Sequence, residues 1–307
     1  MTAQKLKHGK AAGKVYIFMA AVLVSLATAA PILAQAPSEA SESSPIEARI
    51  ARESGAKRSS FALLAHKPSY LLPATYTSSP NNPAYSYFPA IGDKLDNMEA
   101  KFQISFKIPL WEGLFGGKAD LYGAYTQLAL WQAYNARISA PFREINYEPE
   151  TFLAYRTDII FHGARLNYFT IGFNHQSNGQ IEPRSRSWNR VVTSAVIQKG
   201  KNHLIVRQWT RMPERAKTDD NPGIERYLGY GDILFLRSGR NMSFSVLLRN
   251  NLRTGDNKGA LQADWRFPLH RNLKGYVQYF TGYGETLIGY NRSSSRVGLG
   301  MALTDWI

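Results

Sequence analysis

Alternation of period two, sustained over segments of about ten residues, constrains this chain more than any other feature of its sequence. Phe102, Ile104, Phe106, Ile108 and Leu110 alternate with Lys101, Gln103, Ser105, Lys107 and Pro109, so a strand here has one greasy face and one wet face. The pattern returns at Met242, Phe244, Val246 and Leu248 against Ser243, Ser245 and Arg249. It returns again at Leu261, Ala263, Trp265 and Phe267 against Gln262, Asp264 and Arg266, and is weaker from Leu121 to Trp131. Turn clusters such as Thr254-Gly255-Asp256-Asn257 and Asn291-Arg292-Ser293-Ser294 separate the segments. Strands of this length and spacing predict an all-β transmembrane antiparallel barrel, with a soluble sandwich as the competing architecture.

The start of the chain favours the barrel. Met1 to Lys14 carries four lysines and no acid, and Val15 to Leu26 is an apolar run followed by small residues. That is a secretory signal, expected over 1–36 with cleavage between about 29 and 36. Ser25, Thr28, Pro31 and Gln35 interrupt the run and argue against a retained anchor helix. Residues 37–65 are read as a flexible periplasmic segment, rich in Ser, Glu, Ala and Arg up to Ser60, with a short helix expected within Ile46 to Glu53. Residues 66–307 then form the barrel, and roughly 20 residues per strand and turn give about twelve strands. Trp111, Trp131, Tyr147, Trp188 and Trp306 fall near strand ends, where aromatic girdles lie, and the last strand is expected over Arg296 to Ile307.

Composition closes other routes. With 307 residues and no cysteine, the chain has no thiolate nucleophile, no Cys-ligated zinc and no disulfide. Only the N-terminal stretch approaches the roughly 20 apolar residues of a membrane helix. The net charge of +14 falls to 14 − 4 = +10 once the signal lysines are removed. That excess suits an anionic lipid surface as well as a nucleic acid; within a barrel the expected partners are outer-membrane lipids, and no nucleic acid.

One stretch is not explained by barrel building. Asn174-His175-Gln176-Ser177-Asn178-Gly179 and Ser185-Arg186-Ser187-Trp188-Asn189-Arg190 gather a base, a hydroxyl, amides and glycine at a strand end. Phe169, Ile171 and Phe173 share parity with His175 and Ser177, so the two polar side chains extend the lipid-facing stripe. Residues i and i+2 of a strand point the same way, and an imidazole there can take the proton of the hydroxyl. Asn189 shares parity with Val191, Ala195 and Ile197, although Val192 and Val196 leave that face ambiguous. If a hairpin pairs the two strands, the Asn189 carbonyl can accept the His175 ring N–H, which completes a Ser, His, Asn triad. A solvated loop is the plainer reading of the same residues. A nucleophile on the outer wall of a barrel suits little but a lipid substrate.

These residues resemble the active-site region of the outer membrane phospholipase A family. The resemblance extends through Pro141-Phe142-Arg143-Glu144-Ile145-Asn146-Tyr147-Glu148-Pro149, Asp219-Asp220-Asn221-Pro222 and Gly282-Tyr283-Gly284-Glu285-Thr286-Leu287-Ile288, and covers roughly residues 66 to 307. It implies a twelve-stranded barrel that hydrolyses phospholipid acyl esters at both glycerol positions, needs calcium and is active as a homodimer. By position Ser177 is similar to the nucleophile, His175 to its base, Asn189 to the residue orienting that base, and the Gly179 N–H to an oxyanion-hole donor. The resemblance places calcium on the Gln180 carbonyl, on Ser185 and on a serine of the partner subunit that aligns with Ser139. Gln127 aligns with a polar residue at the dimer contact, pointing to lipid or, if the strand parity is shifted, into the lumen. Glu182 is the acid nearest to Gln180 and Ser185 in the chain, so calcium binding is expected to be weak, about 10⁻⁴ to 10⁻³ M.

Other candidates carry less. His66, His162, His203 and His270 have no second histidine or carboxylate at ligand spacing, Gly282-Tyr283-Gly284 lacks the lysine of a phosphate loop, and Asp219-Asp220 reads as turn chemistry or a cation-binding pair. The alternative function is a catalytically silent barrel, a porin or an adhesin.

Overall fold

The computed structural model describes residues 62–80, 94–239, 242–270 and 273–306, together with Arg49, Ala51, Glu53, Gly55 and Tyr85. The expected signal peptide and most of the segment after it lie outside the described residues. Arg49, Ala51, Glu53 and Gly55 are helical.

Twelve strands follow one another around a closed antiparallel ring: β1 (Tyr70–Thr77), β2 (Met98–Gly113), β3 (Ala119–Trp131), β4 (Phe142–Phe161), β5 (Ala164–Ser177), β6 (Ser187–Lys199), β7 (Asn202–Arg211), β8 (Gly231–Ser238), β9 (Ser243–Asn250), β10 (Gly259–His270), β11 (Leu273–Tyr283) and β12 (Ser293–Ala302). β12 pairs with β1, with Tyr70 opposite Ala302, so no edge is left unpaired. A two-residue strand, Leu64–Ala65, pairs with Lys107 and Phe106 of β2 beyond the start of β1. Closure satisfies every strand's backbone ladder from within the protein, which is what hydrocarbon surroundings require.

Alternation resolves into an apolar outside and a polar inside. Ile104, Phe173 and Leu248 are exposed on the outer wall. Glu99, Lys101, Asp264, Arg266, Gln278 and Arg296 are buried in the lumen and paired there. Arg296 lies 2.9 Å from Glu99 and Lys101 lies 2.9 Å from Glu285. Removing one member of such a pair strands a buried charge, at about 3–5 kcal/mol.

The weak alternation of β3 is settled the same way. Thr126 points inward, within 2.8 Å of Ser105 Oγ, so its neighbour Gln127 points outward, where it accepts a 3.0 Å hydrogen bond from Tyr125. Val192 and Val196 face the lumen, because the interior beside β6 packs apolar side chains, Ile205 and Tyr168 among them.

Two expectations about strand ends are corrected. Trp188 is fully buried in the lumen, in a cluster with Trp209, Ile224, Leu228, Leu287 and Tyr290, and belongs to no girdle. The last strand ends at Ala302, because the chain beyond it is drawn inward: Asp305 meets Arg266 at 3.1 Å and the Trp306 carbonyl accepts from Arg49. His66 is also not isolated, since Glu150 lies 2.9 Å from its ring.

The two ends of the barrel differ. Among the described residues, connections 114–118, 162–163 and 200–201 are short and lie at the end where the chain enters and leaves; connections 132–141, 178–186, 212–230, 251–258 and 284–292 lie at the other. The stretch rich in His, Ser and Asn is at the long-loop end.

Candidate active site

β5 and β6 form a hairpin in which Asn174 faces Arg190, His175 faces Asn189, Gln176 faces Trp188 and Ser177 faces Ser187. The pleat turns alternate pairs to opposite sides. Asn174 and Arg190 are buried inside, Phe169, Ile171 and Phe173 are exposed outside, and His175, Ser177 and Asn189 are half-buried at the upper end of that outer stripe.

His175 Nδ1 lies 2.8 Å from Asn189 Oδ1. A carbonyl oxygen can only accept, so the ring proton sits on Nδ1 and Nε2 keeps its lone pair. Ser177 stands two residues along the same face, about 6.7 Å away by strand rise, within the span of an imidazole. The strand register thus brings His175 and Asn189 into contact and sets Ser177 beside them.

The loop 178–186 continues this hairpin in tighter form. Asn178 closes it, accepting from Gln180 N at 3.3 Å and Arg186 N at 3.0 Å while its Nδ2 donates to the Arg184 carbonyl at 2.8 Å. Gly179 has φ +63°, and a Cβ there would meet Tyr147 Cε2 at 2.9 Å. Its backbone therefore favours glycine, and a larger residue would also require the Tyr147 ring to shift. Tyr147 is the cross-strand partner of both Ser177 and Gln127, which places Gly179 and the outward Gln127 around one ring.

Gln180 and Ser185 sit in the same loop, and Ser185 N donates to the Ile181 carbonyl at 3.1 Å. Ser139 belongs to a different loop, 132–141, at the same end of the barrel; it is exposed in the left-handed region with φ +61°. Trp131 Nε1 donates to the Ala140 carbonyl at 2.8 Å and braces that loop.

The acid that meets this site is not Glu182. Asp220, from loop 212–230, accepts from Ser185 Oγ at 2.6 Å and from Ser187 N at 3.0 Å, and Asn221 accepts from the same amide at 3.1 Å. Glu214, Asp219 and Asp220 lie within 4.8 Å of one another, with the Arg211 guanidinium 2.6 Å from Asp219. The sequence marks Asp219-Asp220 as turn chemistry or a cation-binding pair but not as a partner of Ser185, because that contact spans 35 positions. The quoted Asp219-Asp220-Asn221-Pro222 stretch was the one signal that could have found it.

The hairpin sets His175, Ser177 and Asn189 on the lipid-facing side, with Gly179, Gln180 and Ser185 in the loop that follows. Comparison with known proteins shows the family. The family model described as Phospholipase A1 matches residues 46–303. A relative from Neisseria meningitidis serogroup B is 42% identical over 252 residues, which are 78% of this chain and 65% of that protein. The Phospholipase A1 of Klebsiella pneumoniae is 39% identical over 249 residues, 80% of this chain and 83% of that one. Among solved structures, outer membrane phospholipase A from Escherichia coli superposes with a TM-score of 0.76 at 35% identity, covering 81% of this chain and 94% of that chain. The Salmonella typhi outer membrane phospholipase, solved as a dimer with bound calcium, gives 0.76 at 37% identity over 81% of this chain and 94% of that chain.

Proposed function

This chain belongs to the outer membrane phospholipase A family, a phospholipase A1 family of carboxylic ester hydrolases, and from that premise we propose that His175, Ser177 and Asn189 hydrolyse the acyl esters of outer-membrane phospholipids in a calcium-dependent homodimer. The substrate scope is both glycerol positions and lysophospholipid. The observation that carries this reading is the 2.8 Å contact of His175 Nδ1 with Asn189 Oδ1 on the lipid-facing side of the hairpin.

Asn189 holds the tautomer in which His175 Nε2 is basic. Nε2 takes the Ser177 proton as Oγ attacks the acyl carbonyl, a step in which a positioned base contributes about 10² to 10⁴-fold. The negative charge that develops on the carbonyl oxygen meets the Gly179 N–H, prealigned by its loop. The imidazolium then returns its proton to the departing glycerol oxygen. A water that loses its proton to His175 attacks the acyl-serine, the acyl–Oγ bond breaks, and His175 returns that proton to Ser177 Oγ as the fatty acid leaves.

The donor set suits calcium. A backbone carbonyl at Gln180 and hydroxyls at Ser185 and Ser139 of the partner subunit are hard, neutral oxygens, and Asp220 at 2.6 Å fixes the Ser185 hydroxyl from behind. Calcium bound there supplies positive charge to the oxyanion site. Sharing of the site between two copies makes metal binding and dimerisation promote one another by the same factor. Gln127, on the outward face beside Tyr125 and Tyr147, serves the dimer contact.

Long loops face the cell exterior in outer-membrane barrels, so the site faces the outer leaflet, away from the phospholipid-rich inner one. A cysteine replacing Glu182 in this cysteine-free chain should react with an impermeant reagent on intact cells; reaction only after lysis would reverse the orientation. The catalytic reading is tested by fatty-acid release from mixed phospholipid and detergent micelles with calcium, abolished by EDTA. A folded barrel that releases none under either condition is the silent porin or adhesin.

A further inference from the structure

The outward triad has an inward counterpart on the same two strands. The pairs alternate along the hairpin: Asn174–Arg190 inside, His175–Asn189 outside, Gln176–Trp188 inside, Ser177–Ser187 outside. Each inside pair is closed by its own side chains. Trp188 Nε1 donates to Gln176 Oε1 at 2.9 Å, and Arg190 Nε donates to Asn174 Oδ1 at 3.0 Å. The two pairs are joined to each other, because the Arg190 guanidinium lies 4.1 Å over the Trp188 ring. They are also tied to β4: Glu148 Oε1 accepts from Asn174 Nδ2 at 2.7 Å and from Arg190 Nη2 at 3.2 Å. Trp188 itself is fully buried.

Resting on the catalytic reading above, we propose that Gln176 and Trp188 are positioning residues for the reaction, a pair inside the lumen that fixes how closely His175 and Ser177 approach on the outside. Gln176 is the residue between them. The spacing of i and i+2 side chains depends on the local twist and pleat of one strand, and a hydrogen bond across to Trp188 locks that twist at the residue the two share. Packing alone does not need this bond, since the Trp188 ring is already held by Trp209, Ile224, Leu228, Leu287 and Tyr290. The outer face has few constraints of its own, because lipid offers the triad no hydrogen bonds.

The variants that separate positioning from stability are Trp188→Phe, which removes the Nε1 donor and keeps an aromatic ring, Gln176→Leu, which removes the acceptor, and Gln176→Glu, which keeps it beside Arg190. Trp209→Phe is the matched control: it removes an equally buried indole bond, 3.0 Å to the Gly229 carbonyl, in the same cluster but on β7. For each protein in detergent with calcium, the thermal midpoint, kcat, KM, and the rate and stoichiometry of Ser177 modification by a sulfonyl fluoride are measured. Displacement of a reacting group by about an ångström costs on the order of 10²-fold. Trp188→Phe and Gln176→Leu should therefore lower kcat and the modification rate together by ten- to a hundredfold, with KM within twofold and one Ser177 still labelled per barrel. Gln176→Glu should restore both rates to within threefold of the parent, and Trp209→Phe should leave them unchanged. Parent rates in Trp188→Phe and in Gln176→Leu, or losses matched by Trp209→Phe, would overturn the proposal. So would a labelling stoichiometry that falls in step with activity, the mark of lost folding. If Trp188→Phe does not fold, the Gln176 pair decides the matter. Failure of the parent enzyme to be labelled at Ser177 would instead strike the catalytic reading beneath it.

Discussion

Replacing Gly179 by alanine should cost far more activity than stability. The residue sits at φ +63°, where an L side chain costs about 1–2 kcal/mol, and its new Cβ would lie 2.9 Å from Tyr147 Cε2 and 3.5 Å from Cδ2. The strain alone could be borne by the loop. The overlap cannot, so either the Tyr147 ring or the 178–180 backbone must move, and the backbone can relieve both problems at once by leaving the left-handed region. That rotation turns the Gly179 N–H away from the oxyanion. Loss of one such donor is worth about 2.7–4 kcal/mol of transition-state stabilisation, or 10² to 10³-fold in kcat. The expected result in the micelle assay is a kcat reduced by that factor with KM nearly unchanged, while the thermal midpoint of the barrel barely moves because the twelve-stranded ladder is untouched. Repeating the substitution in a Tyr147→Ala background should give a smaller loss, since the ring that forces the rotation is gone. A Gly179→Ala enzyme with parental kcat would refute the placement of the oxyanion hole.

Three further outcomes follow from the same geometry. His175→Ala should be inactive, whereas Asn189→Asp should retain activity and Asn189→Ala should fall between, because an acceptor oxygen at 189 is what holds the imidazole; steady-state rates at saturating substrate rank them. Ser139→Ala should raise the calcium concentration needed for half-maximal activity and weaken calcium-dependent crosslinking together, whereas Gln127→Ala should weaken dimerisation with the calcium ligands intact; sedimentation in detergent with and without calcium reads both. Burial alone would raise the Glu285 carboxyl in loop 284–292, but Arg296 and Lys101 against it bring it down to about 2. A lowered folded-state pKa adds stability above the unfolded value, about 4.3, that is lost as pH falls through 2. Thermal midpoints should therefore separate the parent from Glu285→Gln above pH 4.5 and converge between about pH 4 and 2; a gap independent of pH would contradict the pairing.

Much of the wall of this barrel is legible in its sequence, because lipid and lumen impose a simple rule. Where both environments are demanding, as at Ile104 against Ser105 or Trp265 against Asp264, period two fixes which way each side chain points. Parity on β5 likewise carries His175 and Ser177 to the same side as Phe173 without any tertiary knowledge. The rule weakens where the lumen is greasy: Val192 and Val196 line an apolar part of the interior, so their strand reads as apolar on both faces. It weakens again where the outside is polar, as at Gln127, whose direction is decided by its neighbour Thr126 meeting Ser105 inside. Strand-end aromatics mislead for the same reason, since a tryptophan at a strand terminus can turn to either face, and Trp188 turns inward over Arg190. Contacts between loops leave no periodic trace. The hold of Asp220 on Ser185, and the fit of Tyr147 against Gly179, depend on how distant connections stack at one end of the barrel, and only the folded chain displays them.

Everything proposed for this hydrolase turns on Ser177 as its nucleophile on the outer wall. The most direct measurement is to react the calcium-loaded protein with a sulfonyl fluoride, locate the modified residue by peptide mass spectrometry, and measure fatty-acid release by Ser177→Ala in parallel. The expected result is a single modified serine at 177 and a folded, inactive variant. Modification of any other serine with loss of activity, or full release of fatty acid by Ser177→Ala, would contradict it.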